Sequence, residues 1–130
     1  MTTQQLFLYA LATVVVAFYL WKALRGKSVQ HYAPAEVAEK LKESRQAVLL
    51  DVRTDKEYQQ QHIKGSIHIP LQSLLRRTGE LEKYKHQEII CCCQTGSRSI
   101  TAALKLKRLG YTVANMKGGI AEWNFSHITR

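Results

Sequence analysis

From Leu6 to Leu24 the chain reads LFLYALATVVVAFYLWKAL, an apolar run in which Lys22 is the only charged residue. As a helix, its 19 residues would span about 28 Å, close to the hydrocarbon thickness of a bilayer. No polar stripe divides Leu6 to Trp21, as the exposed face of a core helix would. A signal peptide is expected to open on positive charge, and Met1 to Gln5 carry no charged side chain. Phe18, Tyr19 and Trp21 then fall at the interface, with Lys22, Arg25 and Lys27 just beyond. The positive-inside rule places that end in the cytoplasm. The expectation is a single-pass anchor and basic flank over residues 1–27 and a domain over 28–130, with residues 26–32, GKSVQHY, as a short linker where they meet.

Past the linker the periodicity changes. APAEVAEKLKES places Val37 and Leu41 four apart behind Pro34, which predicts a helix. AVLLDVR is a short unbroken apolar run, a buried strand ending at Asp51 or Val52. TDKEYQQQH opens on a Thr/Asp cap and predicts a short helix. SIHIP is a brief strand stopped by Pro70, and LQSLLRR a helix interrupted at Thr78-Gly79. EIICC is the next strand. SITAALKLKRLG predicts a helix with Ala102, Leu106 and Leu109 on one face and Gly110 as its cap. YTVANM is a further strand, and KGGIAEW a turn into a final short helix. Strands alternating with helices imply an α/β domain with a mostly parallel central sheet.

Composition narrows the function. The chain has 19 basic and 10 acidic residues, a formal net charge of +9. That surplus suits an anionic membrane face or a small anionic substrate. The basic residues are dispersed and not interleaved with aromatics, so nucleic acid is not an expected partner. All three cysteines stand together at 91–93. Adjacent Cα atoms lie about 3.8 Å apart, below the window of an ordinary disulfide. Free thiols in a reducing compartment are expected. No histidine stands at zinc-ligand spacing from them, so neither a metal nor another cofactor is anticipated.

The segment after EIICC carries the chemistry. Strand, tight polar loop and helix is where an open α/β sheet holds its ligand. Loop amides can converge on an anion there, and the following helix aims its positive end at the same point. A cysteine at the head of such a loop becomes a stronger thiolate. Gly96 lets the backbone turn, and Ser97, Arg98 and Ser99 begin the helix.

With these residues in view, IICCCQTGSRSITAALKLKRLGYTVANMKGGIAEW resembles the C-terminal half of a rhodanese domain, a single-domain sulfurtransferase. LLDVRTDKEYQQQHIKGSIHIPL is similar to the family's earlier signature, and together the matches cover most of residues 33–125. The resemblance implies a rhodanese-like three-layer α/β fold behind the N-terminal transmembrane helix. It also implies an active loop of Cys93, Gln94, Thr95, Gly96, Ser97 and Arg98. Cys93 would take a sulfur from a small anionic donor such as thiosulfate, hold it as a persulfide, and pass it to a thiol, cyanide or protein-thiol acceptor. Arg98 would either hold the donor or pair with an acidic neighbour.

Two other readings stay open. Counted from Cys92, the same segment is Cx5R followed by Ser99, the pattern of cysteine phosphatases. Gly96, two residues before Arg98, favours the count from Cys93 and leaves Cys91 and Cys92 as strand residues, with Cys92 a possible resolving thiol. The domain could also be a non-catalytic recruitment module at the membrane. Asp51, Arg53 and Glu57 read as structural charges tying a strand end to the next helix, with Arg53 also able to face the site. His62 reads as a backbone partner, Gly118-Gly119 as a tight turn, Trp123 as a packing anchor, and Arg76 and Arg77 as a possible anion-attracting rim.

Overall fold

In the computed structural model the chain is described at all residues except 27–28, 44–45, 125–127 and 130, with side chains also left undescribed at 25–26 and 128–129. Two expected features, the positive charge at Lys27 and the helical end at Ser44, lie outside the described residues.

Helix α1 (Thr3–Gly26) carries no charged residue before Lys22. Its stretch Thr3–Leu24 has mean hydropathy 1.8, is long and apolar enough to cross a membrane, and is 0% buried against the rest of the chain. After it come β1 (Gln30–Tyr32), α2 (Pro34–Lys42), β2 (Ala47–Asp51), α3 (Asp55–Gln60), β3 (His62–Ile63) and β4 (Ile67–His68). Then β5 (Glu88–Cys92), α4 (Ser97–Arg108), β6 (Thr112–Met116) and β7 (Ile128–Thr129) complete the order.

The central sheet has five strands in the order β1-β6-β5-β2-β4. Every pairing in it is parallel. β3 and β7 form a separate antiparallel pair. Helices lie on both faces, as parallel sheets require. Leu50, Ile89, Cys91 and Cys93 pack on one side with Ala102, Ala103 and Leu106 of α4. Leu49, Ile90, Cys92 and Ala114 pack on the other with Val37 of α2 and Trp123. Two apolar layers on one sheet explain why β2 and β5 read as unbroken apolar runs rather than alternating ones.

Four local readings differ from this fold. Residues 30–32 are not linker but β1, the sheet edge, paired residue for residue with Ala114, Asn115 and Met116. LQSLLRR forms only a 3₁₀ turn, Leu71–Ser73. Thr78, expected to interrupt a helix, begins a second 3₁₀ segment, Thr78–Tyr84, whose inward anchor is Leu81. On α4 the buried face is Ser99, Ala102, Ala103 and Leu106, while Leu109 is 46% exposed. Leu109 follows the last helical residue, where the chain is already turning through Gly110 toward β6.

Short elements hold by specific caps. Thr54 accepts from the Glu57 amide, and Glu57 Oε1 accepts from the Thr54 amide, closing a capping box on α3. His62 and His68 stack on the two faces of the Tyr58 ring, with centroids 3.9 and 4.1 Å away. His62 Nδ1 lies 2.8 Å from the Tyr58 carbonyl, the backbone role expected of it. His68 Nε2 lies 2.8 Å from the Arg53 carbonyl.

Candidate active site

β5 ends at Cys92, and the loop 93–96 climbs from the carboxyl edge of the sheet into α4. Because strand side chains alternate, the three sulfurs divide between two environments. Cys91 and Cys93 share the α4 side and Cys92 enters the opposite core. All three thiols are free.

Among the described residues, the third alone has hydrogen-bonding partners at its sulfur. The Gly96 amide donates to Cys93 Sγ at 3.0 Å, and Ser99 Oγ lies 3.4 Å from the same sulfur. Burial pushes the Cys93 thiol up, but the Ser99 hydroxyl and the amides of Ser99, Gly96 and Thr95 outweigh it, leaving the thiol below its ordinary value. Desolvation pushes Cys91 up to about 12 and Cys92 well above the usual range. Cys93 itself is 1% exposed, so its sulfur lies at the floor of the loop.

The loop keeps this shape because its carbonyls are held elsewhere. The Ile120 amide donates to the Cys93 carbonyl at 2.9 Å and the Ala121 amide to the Gln94 carbonyl at 3.0 Å. With two carbonyls held by residues 120–121, the loop's own amides are free to turn toward the sulfur. Gly96 adopts φ +105, a left-handed conformation that ordinary side chains resist. Gly119 (φ +65) comes so near that an added Cβ would sit 2.5 Å from the carbonyl oxygens of both Cys93 and Gln94. The turn at Gly118-Gly119, read from sequence only as a tight turn, is therefore part of the site's frame.

Arg98 pairs with Glu57 through two bonds of 2.7 and 2.9 Å. Of its two anticipated roles, the structure displays the acidic partner. The Arg98 contact holds the Glu57 carboxyl down at about 2. Asp51 and Arg53 are buried together, with the guanidinium gripping both carboxylate oxygens at 2.9–3.1 Å. That guanidinium also donates to the Gln61 carbonyl (2.6 Å) and to Gln94 Oε1 (3.2 Å), linking the structural pair to the loop. A cleft of about 410 Å³ opens beside it, lined by Arg53, Glu57, Gln60, Gln61 and Gln94. Gln94, Thr95 and Ser97 are exposed at the rim, while Gly96 is buried. Arg77 is engaged by Glu80 at 2.6 and 2.9 Å, so its charge is already paired. Among the described residues no group of His, Cys, Asp and Glu is arranged to hold a metal.

Asn115, not singled out in the sequence, belongs here, and so does Ser99, which was read there only as a helix-starting residue and the one after Cx5R. Ser99 Oγ donates to Asn115 Oδ1 at 2.6 Å, and Asn115 Nδ2 lies 3.1 Å from His31 Nδ1. The available signal was an asparagine set between the apolar Ala114 and Met116 of strand β6.

Comparison with known proteins gives this loop a context. The rhodanese-like domain family matches residues 33–126. The putative sulfur carrier protein YrkF of Bacillus subtilis is 40% identical over 76 residues, 58% of this chain and 40% of that protein. The uncharacterized protein YqhL of the same organism is 39% identical over 80 residues, 61% of this chain and 62% of that protein. The chain thus spans less than two thirds of either relative. The thiosulfate sulfurtransferase PspE of Escherichia coli is 33% identical over 73 residues, 56% of this chain and 70% of that protein. A rhodanese-related protein from Thermoplasma volcanium superposes with a TM-score of 0.65 at 30% identity, covering 72% of this chain and 89% of the other.

Proposed function

Since the chain belongs to the rhodanese-like domain family, we propose that it is a sulfurtransferase working through a persulfide on Cys93. The observation that carries this reading is the Gly96 amide 3.0 Å from Cys93 Sγ, with the Ser99 hydroxyl beside it. The Gly96 amide favours the thiolate, as the Ser99 hydroxyl does when it turns from Asn115 to the sulfur, and the same positions suit the anionic outer sulfur of a persulfide.

In the first half-reaction the Cys93 thiolate attacks the outer sulfur of a donor such as thiosulfate. A new S–S bond forms, the donor's S–S bond breaks, and the electron pair leaves with sulfite. Cys93 then carries Cys–S–S⁻. In the second, a thiol, cyanide or protein-thiol acceptor attacks the terminal sulfur and the pair returns to Cys93. Ping-pong kinetics follow. Gln94, Thr95, Gly96, Ser97 and Arg98 form the substrate-binding loop, and the cleft at Arg53 and Gln94 is the approach for the donor. Arg98 would meet an anion only by loosening its grip on Glu57. No cofactor enters these steps.

The apolar helix supports a second part of the proposal. Residues 1–27 act as a single-pass anchor in the cell membrane and residues 28–130 as the sulfurtransferase domain on its cytoplasmic side. A reducing cytoplasm suits the free thiols, and the charge of Lys22 suits that orientation.

The test uses the full chain in detergent micelles, incubated with thiosulfate and weighed. The wild type gains one sulfur atom, Cys92→Ser gains it too, and Cys93→Ser does not. Phosphate-ester turnover lost only in Cys92→Ser would replace this reading with the phosphatase one. No adduct and no turnover would leave a recruitment module. Protease protection of the domain in sealed inside-out vesicles would overturn the cytoplasmic placement.

A further inference from the structure

Ser99 has one hydroxyl proton and two neighbours able to take it. Asn115 Oδ1 is 2.6 Å away and Cys93 Sγ is 3.4 Å away. Both Ser99 and Asn115 are buried, at 0% and 2% exposure, so water does not resolve the competition. Beyond Asn115 the chain of contacts continues to His31, its partner across the β1–β6 ladder, which is exposed to solvent.

We infer that His31 and Asn115 are positioning residues that set, through the direction of the chain His31–Asn115–Ser99–Cys93, whether the Ser99 hydroxyl is offered to the Cys93 sulfur. This rests on the sulfur-transfer role of Cys93 for its purpose, but not for its geometry.

The inference comes from counting donors and acceptors. In one direction Asn115 Nδ2 donates to an unprotonated His31 Nδ1, Asn115 Oδ1 accepts the Ser99 proton, and the Cys93 thiol donates to Ser99 Oγ. Every group is satisfied, and the sulfur stays a neutral thiol. In the other direction His31 presents Nδ1–H to Asn115 Oδ1, and Asn115 Nδ2 donates to Ser99 Oγ. The Ser99 hydroxyl then points at the sulfur and supports a thiolate or persulfide. Reversal requires rotation of one amide and one hydroxyl and a change of ring proton at His31. No proton passes through the asparagine; the cysteine's proton leaves by the loop. A buried sulfur is thereby coupled to an imidazole on the sheet edge.

Charged neighbours do not obscure this coupling. Cys91 and Cys92 from β5 and Arg98 from α4 surround Cys93 and are the same in every variant below. On β1, Lys40 and Glu88 gather at the ring and hydroxyl of Tyr32, the residue after His31.

The test is the pH profile of alkylation at Cys93, read by mass spectrometry on the full chain in detergent, which needs no sulfur transfer. His31→Lys is a donor only and His31→Glu an acceptor only. The first shifts the titration of Cys93 downward and the second upward, about threefold or more apart in thiolate fraction at mid-titration. The same charges at exposed Gln30 leave it in place, and His31→Gln, which can do either, stays near wild type. In the Asn115→Leu background the Lys/Glu difference vanishes, and Ser99→Ala, which cuts a different link, abolishes it as well should the leucine variant misfold. A difference that survives either cut, or that is matched at Gln30, is through-space charge and overturns the inference. Shifts as expected without any persulfide would refute sulfur transfer while leaving the coupling intact.

Discussion

The Ile120 amide donates to the Cys93 carbonyl at 2.9 Å, so the turn after β6 holds the loop after β5 by its backbone. Gly119 permits the approach. In Gly119→Ala the new Cβ, 2.5 Å from two carbonyl oxygens, must push the loop aside. Misplacing a reacting group by about 1 Å costs on the order of 10²-fold in rate. Persulfide formation should fall by about that factor, with about 1–3 kcal/mol of stability lost through strain at positive φ. Thiosulfate:cyanide turnover and thermal unfolding check the two halves, and an alanine variant matching wild type in both would remove the turn from the site's frame.

Cysteine reactivity should be sharply unequal. Cys93 is held below an ordinary thiol, while burial pushes Cys91 up to about 12 and Cys92 well above its usual range. Near neutral pH, limiting iodoacetamide should label Cys93 first, and only denaturant should expose the other two. Peptide mapping after a short pulse decides it, and equal labelling of the three in the folded protein would contradict the alternation along β5.

The Asp51–Arg53 pair should matter more to stability than its surface counterparts. Both groups are buried, and the guanidinium also braces Gln61 and Gln94. Removing one member leaves a buried charge unmatched, typically about 3–5 kcal/mol. Asp51→Asn should lose stability on that scale in urea denaturation, whereas Glu80→Gln, whose pair with Arg77 is fully exposed and screened by solvent, should barely move the midpoint.

Acid should weaken the Glu57–Arg98 tie in a defined window. The Glu57 carboxyl lies at about 2 in the folded chain against an ordinary 4.5. A depressed carboxyl gives stability that is whole above the unfolded value and lost as pH falls toward the folded one. The stability difference between wild type and Glu57→Gln should therefore be constant above about pH 5 and shrink from there toward pH 2. Circular dichroism melts at stepped pH measure it; a difference that grows on acidification would exclude the tie.

The α/β plan, its parallel sheet and the loop at its carboxyl edge were legible because long apolar runs and a strand–glycine–helix junction have strong local causes. What escaped was made by contact. Gln30 to Tyr32 has no apolar run and is a strand only because β6 lies beside it. Asn115 was passed over, and Ser99 was read only as a helix start, because the role of a buried polar side chain is recognisable only once its partner is known. Leu109 was expected inward by its spacing, yet the helix had already ended at Arg108. Arg98 was legible as charged and near the loop, but its pairing with Glu57 joins residues 41 positions apart.

Three consecutive sulfurs, two closing a strand and one opening the loop after it, make the chemistry hostage to alignment. β5 is flanked by β2 and β6, with Asp51 opposite Cys92 and Asn115 opposite Cys91. A slip of one position would either bring Cys92 to the head of the loop and push Cys93 outward, or draw Cys93 into the opposite core and leave Gln94 at the head, with no change in amino-acid composition. A single inserted or deleted residue between Glu88 and Cys93 would thus act as a substitution of the nucleophile.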